Sequence, residues 1–180
     1  MRIITGRLKG RTFKTPNGYR THPMGDRIKV ALFNTIAAEI PGARVLDAYA
    51  GSGALGFEAL SRGAEFVQLV EKDGRAYRVL RDNVEAIGVN ESECKATRAN
   101  ISSWLKQDKD AMFDIIFADP PFDELNLSTI KELTHHLTPE GLMVLSHSGR
   151  EAVPTVSTGV VVVDNRMYGE AALSYYRKEQ

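Results

Sequence analysis

Apolar positions in this chain switch repeatedly between two periods. Short runs such as Phe66-Val67-Gln68-Leu69-Val70 and Phe113-Asp114-Ile115-Ile116-Phe117-Ala118 predict buried strands. Between them lie stretches with helical spacing, such as the one from Arg75 that sets Tyr77, Leu80, Val84 and Ile87 on one stripe before Gly88 stops it. Strands are expected near 44–49, 66–71, 93–98, 113–119, 142–147, 160–166 and 170–177, and helices near 54–62, 74–87, 101–107 and 126–137. An earlier helix is expected where Ile28, Leu32, Ile36 and Ile40 recur every four residues, with Ala31 alongside, until Pro41-Gly42 ends it. Strand and helix in alternation predict an α/β fold with a mostly parallel sheet covered on both faces. The last two strands leave no room for a helix, so Met167-Tyr168-Gly169 should join them as an antiparallel hairpin.

Composition narrows the picture. With 180 residues and 43% hydrophobic content, one globular domain with a small appendage is expected. No run of ~18 apolar residues suggests a membrane span, and no apolar signal region follows Met1, so a cytoplasmic location is expected. Cys94 has no partner for an intrachain disulfide and reads as a half-buried strand residue. His135 and His136 are adjacent on a predicted helix and point in different directions, and no metal site is expected. No heptad stripe calls for a dimer, so a monomer is expected.

The net charge of 0 hides an asymmetry. Residues 1–29 hold Arg2, Arg7, Lys9, Arg11, Lys14, Arg20, Arg27 and Lys29 against Asp26 alone, a balance of +7, and the rest of the chain carries −7. Positive charge concentrated at one end makes a surface for phosphates, with RNA or DNA as the natural partner. Turn residues interleaved with the basic ones, and the alternating Arg11-Thr12-Phe13-Lys14-Thr15, suggest a hairpin or extended arm over 1–23, followed by a catalytic domain over 24–180.

Two motifs carry chemistry. Asp47-Ala48-Tyr49-Ala50-Gly51-Ser52-Gly53-Ala54-Leu55-Gly56 reads as a strand end, a glycine turn and a helix start. Asp47 at the entrance of that turn would repel a pyrophosphate but suits a ligand carrying an ammonium and a sulfonium, a description that S-adenosylmethionine fits. Glu71 ends the next strand 18 residues after Gly53, near the ~20 at which a carboxylate meets ribose hydroxyls. The second motif, Asp119-Pro120-Pro121-Phe122, follows a buried strand. Its prolines remove two backbone donors and leave carbonyls open to a bound amino group; Asp119 adds an acceptor and Phe122 a flat face for a base.

These motifs and their order resemble the RsmD-type methyltransferases, enzymes that methylate the exocyclic N2 of a guanine in 16S ribosomal RNA. The resemblance runs through Met1-Arg2-Ile3-Ile4-Thr5-Gly6 with Lys9-Gly10-Arg11, Asp26-Arg27 followed by Ala31-Leu32-Phe33-Asn34, Asp47 to Ala64, and Asp119 to Phe122. It implies a class I methyltransferase, a Rossmann-like seven-stranded sheet closed by the C-terminal hairpin. It also implies S-adenosylmethionine as donor, S-adenosylhomocysteine as product, and a small ribosomal subunit or its assembly intermediate as substrate. Asp47, Gly51 and Gly53 would then hold the amino-acid part of the donor, Glu71 its ribose, and Asn100 and Ile101 its adenine, with Ala48, Tyr49, Ser52 and Lys72 also among the cofactor-binding residues. Capping of the following helix is an equal reading of the Asn100 side chain. Asp119, Pro120 and Phe122 would act on the target base, with Asp119 also beside the donor. Arg2, Arg7, Lys9, Arg11, Lys14, Arg20 and Arg27 would contact RNA.

Other readings stay open. A DNA adenine or cytosine amino-methyltransferase would use the same loop, as would a guanine-N2 enzyme acting on another RNA. A non-catalytic RNA-binding module leaves both motifs unexplained, and the glycine spacing disfavours a nicotinamide-dependent dehydrogenase. His147 could approach the base, although a polar strand end is the safer reading.

Overall fold

The computed structural model describes residues 1–17, 24–156 and 159–180. Strands β1 (Arg44–Asp47), β2 (Phe66–Glu71), β3 (Cys94–Arg98), β4 (Phe113–Ala118), β5 (Leu137–Ser148), β6 (Val160–Tyr168) and β7 (Ala171–Lys178) form one sheet in the order β3-β2-β1-β4-β5-β7-β6. The five strands from β3 to β5 pair parallel, and β7 runs antiparallel between β5 and β6. The central strands are apolar almost throughout because helices cover both faces. Helices α1 (Asp26–Thr35), α2 (Ala54–Ser61) and α3 (Gly74–Ala86) bury Leu32, Phe57 and Leu80 on one face. On the other, α4 (Ile101–Gln107) and α5 (Leu127–His135) bury Trp104 and Leu133.

This topology positions the site. From β1 the chain winds outward to β2 and β3, then returns to lay β4 on the opposite side of β1. The connections leaving β1 and β4 therefore diverge, and a crevice opens between them at the carboxyl ends of the strands. Asp47 ends β1 and Asp119 follows β4, so the two sequence motifs meet across that crevice.

Three local outcomes depart from expectation. The early helix stops at Thr35, although Ile36 and Ile40 remain buried. Thr35 Oγ1 donates back to the Ala31 carbonyl at 2.8 Å, and bonds of i→i−3 type from Glu39 to Ile36 and from Ala43 to Ile40 replace the helical ladder. Pro41 also disfavours a helical Ile40. Strand β5 begins at Leu137, five residues before the expected start, with an irregularity around Glu140 (φ 63°) that keeps it paired to β4. The final hairpin turns on Gly169-Glu170, with Tyr168 still paired to Ala171.

The basic N-terminal segment is stitched onto the domain. Arg2 and Thr12 form an isolated bridge in place of a two-stranded ladder, and Ile3, Leu8 and Phe13 join the core. Their spacing of five residues suits a looped path better than a strand. The backbone donors go to α2: the Ile4 and Thr5 amides to the Glu58 carboxylate (2.8 and 3.0 Å), and the Leu8 amide to Ser61 Oγ (2.9 Å). Glu58 is itself buried and paired with Arg62 at 2.9 Å.

Candidate active site

The glycine turn after β1 is shaped by steric necessity. Gly53 caps α2 with φ 90°, and a Cβ there would lie 2.5 Å from the Phe57 ring. A Cβ on Gly56 would lie 2.3 Å from Leu69 Cδ2, so only glycine lets α2 approach β2 this closely. Asn83 of α3 fastens the turn from behind. Its Nδ2 donates to the Ser52 carbonyl (2.9 Å) and the Lys14 carbonyl (2.8 Å), while its Oδ1 accepts the Lys14 amide (2.8 Å). One buried side chain thus joins the turn to the basic N-terminal segment.

A cavity of about 540 Å³ lies in the crevice, lined by Asp47, Tyr49, Gly51 and Ser52 on the β1 side and by Asp119 to Asp123 on the β4 side. Thr15 and Pro16 reach its wall, as do Lys29 of α1 and Ser146 of β5. A second cavity, about 240 Å³, is lined by Ala48, Glu71, Lys72, Asn100 and Ile101. The two share Tyr49, Asp119 and Pro121, so they form adjoining compartments. Asp47, Ala48, Tyr49, Gly51, Ser52, Glu71, Lys72, Asn100, Ile101, Asp119, Pro120 and Phe122 are all brought to these walls; Gly53 is not, and it faces Phe57 and Leu80 instead.

Electrostatics distinguish the carboxylates. Asp47 is 1% exposed; its Oδ2 accepts the Gly56 amide at 3.1 Å, and among the described residues no donor meets its Oδ1 in hydrogen-bonding geometry. Burial pushes its pKa up to about 7, against the pull of the Gly56 amide and the weaker pull of the nearby Tyr49 amide, and the charges of Asp119 and Glu71 add to the rise. Burial also raises the Asp119 pKa, opposed by a hydrogen bond from Ser146. Glu71 accepts the Gly51 amide on Oε2 (2.8 Å) and the Asp73 amide on Oε1 (2.7 Å), which ties the first two strand ends together.

The proline loop is open on its working side. Pro120 is buried, and its carbonyl accepts no hydrogen bond from the described residues, whereas the Pro121 carbonyl takes the Glu124 amide at 2.9 Å. Phe122 begins a single 3-10 turn (Phe122–Glu124) and is 46% exposed at the cavity mouth. Lys72 pairs with Glu124 and so links the β2 end to this loop. Asn100 Oδ1 accepts the Ser102 amide at 3.0 Å, capping α4 while the residue lines the smaller cavity.

Residues outside the cavities sort equally clearly. His147 is buried and turned toward β7, with Nε2 2.8 Å from Ser174 Oγ. Cys94 is buried in β3, and burial pushes its thiol up to about 12. Of the basic side chains, Arg7 pairs with Glu93 and Arg11 donates to the Ile87 carbonyl. Arg2, Lys9, Lys14 and Arg27 are exposed, and Arg20 lies outside the described residues. Sequence reasoning missed Lys29, Ser146 and Asn83. Lys29 interrupts an apolar stripe and Asn83 interrupts an amphipathic helix, and those interruptions were the available signal. No helix of the described residues is long and apolar enough to cross a membrane.

A doubly wound sheet with a C-terminal antiparallel hairpin, and a cavity between the ends of β1 and β4, defines a class I methyltransferase. The chain belongs to the family described as conserved hypothetical protein 95, the RsmD family, whose model matches residues 1–177. It is 34% identical over 182 residues to the ribosomal RNA small subunit methyltransferase D of Escherichia coli K12, covering 99% of this chain and 90% of that one. A solved structure from Escherichia coli superposes with a TM-score of 0.88 at 34% identity, covering 99% of this chain and 98% of the other. A more distant solved structure complexed with SAH (TM-score 0.65, 14% identity, 81% of this chain and 49% of that one) shares the fold alone.

Proposed function

We propose that this protein transfers a methyl group from S-adenosylmethionine to the exocyclic N2 amino group of a guanine in 16S ribosomal RNA, within the small subunit or an assembly intermediate. The observation that carries the reading is the juncture of two cavities at Asp119, beside a proline loop with an open carbonyl and an exposed ring. Family membership and the E. coli relative, named for small subunit ribosomal RNA, support the substrate class.

The residues present fit the donor. The unpartnered Oδ1 of buried Asp47 offers an acceptor for an ammonium, and the glycine turn lets a ligand approach the backbone closely. The smaller cavity, with Glu71 on its wall and Ile101 at its side, suits the ribose and adenine. S-adenosylmethionine, when bound, supplies a methyl already activated on a sulfonium.

The chain's own residues then do three things. Phe122 stacks on the base, which must be unpaired or flipped out to reach it. The Asp119 carboxylate and the Pro120 carbonyl accept the two amino hydrogens, favouring a nitrogen whose lone pair is less delocalised into the ring. Held ~3–3.5 Å from the methyl, that nitrogen needs little further reorganisation. Asp119, with its raised pKa, is suited to take the proton released from nitrogen or to pass it to water. The exposed Arg2, Lys9, Lys14 and Arg27 would hold RNA phosphates, with residues 1–23 acting as a contact surface appended to the catalytic domain over 24–180.

The test is transfer of labelled methyl to small subunits that lack guanine modifications, followed by nucleoside analysis. N2-methylguanosine at a single position is the expected result. Methylation of DNA or transfer RNA alone would keep the chemistry and overturn the substrate.

A further inference from the structure

Lys29 is 1% exposed, yet it stands on the wall of the larger cavity. Among the described residues its ammonium has one partner, the Asp26 carboxylate at 3.2 Å, and that partner is 69% exposed. A buried lysine with one half-solvated partner is costly to maintain, and two of its three N–H donors are left for something else. Its place is fixed from the helix start, where its amide donates to the Gly25 carbonyl at 3.0 Å.

The charge inventory of the cavity says what that something is. Among the described lining residues Asp47, Asp119 and Asp123 are acidic, and Lys29 is the sole cation. A guanine entering the cavity is neutral, and its phosphates remain along the strand outside. The anion that must lie inside is the α-carboxylate of the methyl donor. We propose that Lys29 binds this carboxylate, while Asp47 takes the α-ammonium, so that two oppositely charged buried side chains recognise the amino-acid end of the donor. The assignment rests on the methyl-donor reading above.

Calorimetric titration with S-adenosylmethionine and with its decarboxylated analogue, which keeps the amine and the sulfonium, tests it without turnover. Wild type should prefer the intact donor by ~10-fold or more, the ratio expected of a charge-assisted hydrogen bond. Lys29→Met should lose that preference by weakening only the intact donor, and Lys29→Arg should recover part of it. Equal affinity of wild type for the two ligands overturns the assignment, and this arm stands even where a variant does not fold. Equal weakening of both ligands by Lys29→Met also overturns it, in favour of a structural role. Binding of neither ligand by wild type overturns the donor reading itself, and the assignment with it.

Discussion

Asp47 and Gly56 are joined by a 3.1 Å hydrogen bond from the Gly56 amide to Asp47 Oδ2, which ties the end of β1 to the first turn of α2. Among the described residues, the other oxygen of the same buried carboxylate is left without a hydrogen-bond partner. A group that costs stability in this state is in position to repay it when a cation arrives.

The pH dependence follows from this arrangement. The native pKa of Asp47 is raised from 3.8 to about 7, so between those values the folded protein binds a proton that the unfolded chain releases. Stability should therefore fall as pH rises from about 4 to about 7, by up to ~4 kcal/mol relative to Asp47→Asn, and level off above. Denaturant melts of the ligand-free protein across that range measure it.

Ligand binding should show the opposite slope. An ammonium beside Asp47 favours its ionised form, so below about pH 7 a proton must leave when the donor binds. Affinity for S-adenosylhomocysteine should rise from pH 6 to pH 8, with proton release visible as a buffer-dependent binding enthalpy. A flat profile would remove Asp47 from the ammonium site.

Asp119→Ala should leave donor affinity largely intact while lowering turnover by at least ~10²-fold, because it removes an acceptor at the reacting amino group. Single-turnover kinetics beside ligand titration separate the two effects, and unchanged turnover would sink the assigned role.

Asn83→Ala leaves the Ser52 carbonyl and both Lys14 backbone groups without their partner. A loss of ~1–3 kcal/mol in stability is expected, together with weaker donor binding through the loosened glycine turn. Hydrogen exchange at Lys14 and in the turn reads the coupling directly.

The basic side chains should not contribute equally. Replacing Lys9 and Lys14 by Ala should flatten the salt dependence of RNA binding more than Arg7→Ala does, because Arg7 is already paired with Glu93. A salt slope that responds to Arg7 alone would relocate the RNA surface.

The strand and helix order, the antiparallel ending and both site motifs were legible in the chain, because each depends on local periodicity and on residues that punctuate it. The Asp119 loop and the Asp47 turn announce themselves through proline and glycine, whose conformational effects are intrinsic. Tertiary structure decided the rest. That strand order reverses between β1 and β4, bringing Asp47 and Asp119 to one crevice, is a matter of how the sheet is wound. The docking of the N-terminal segment on Glu58 and Ser61 depends on partners far away in sequence. The same holds for Lys29 and Asn83, whose polar heads are buried because distant elements close over them. Local pattern specifies which residues go inside; the pairing of distant groups specifies which buried polar atoms are satisfied and which, like Asp47 Oδ1, remain open to a ligand.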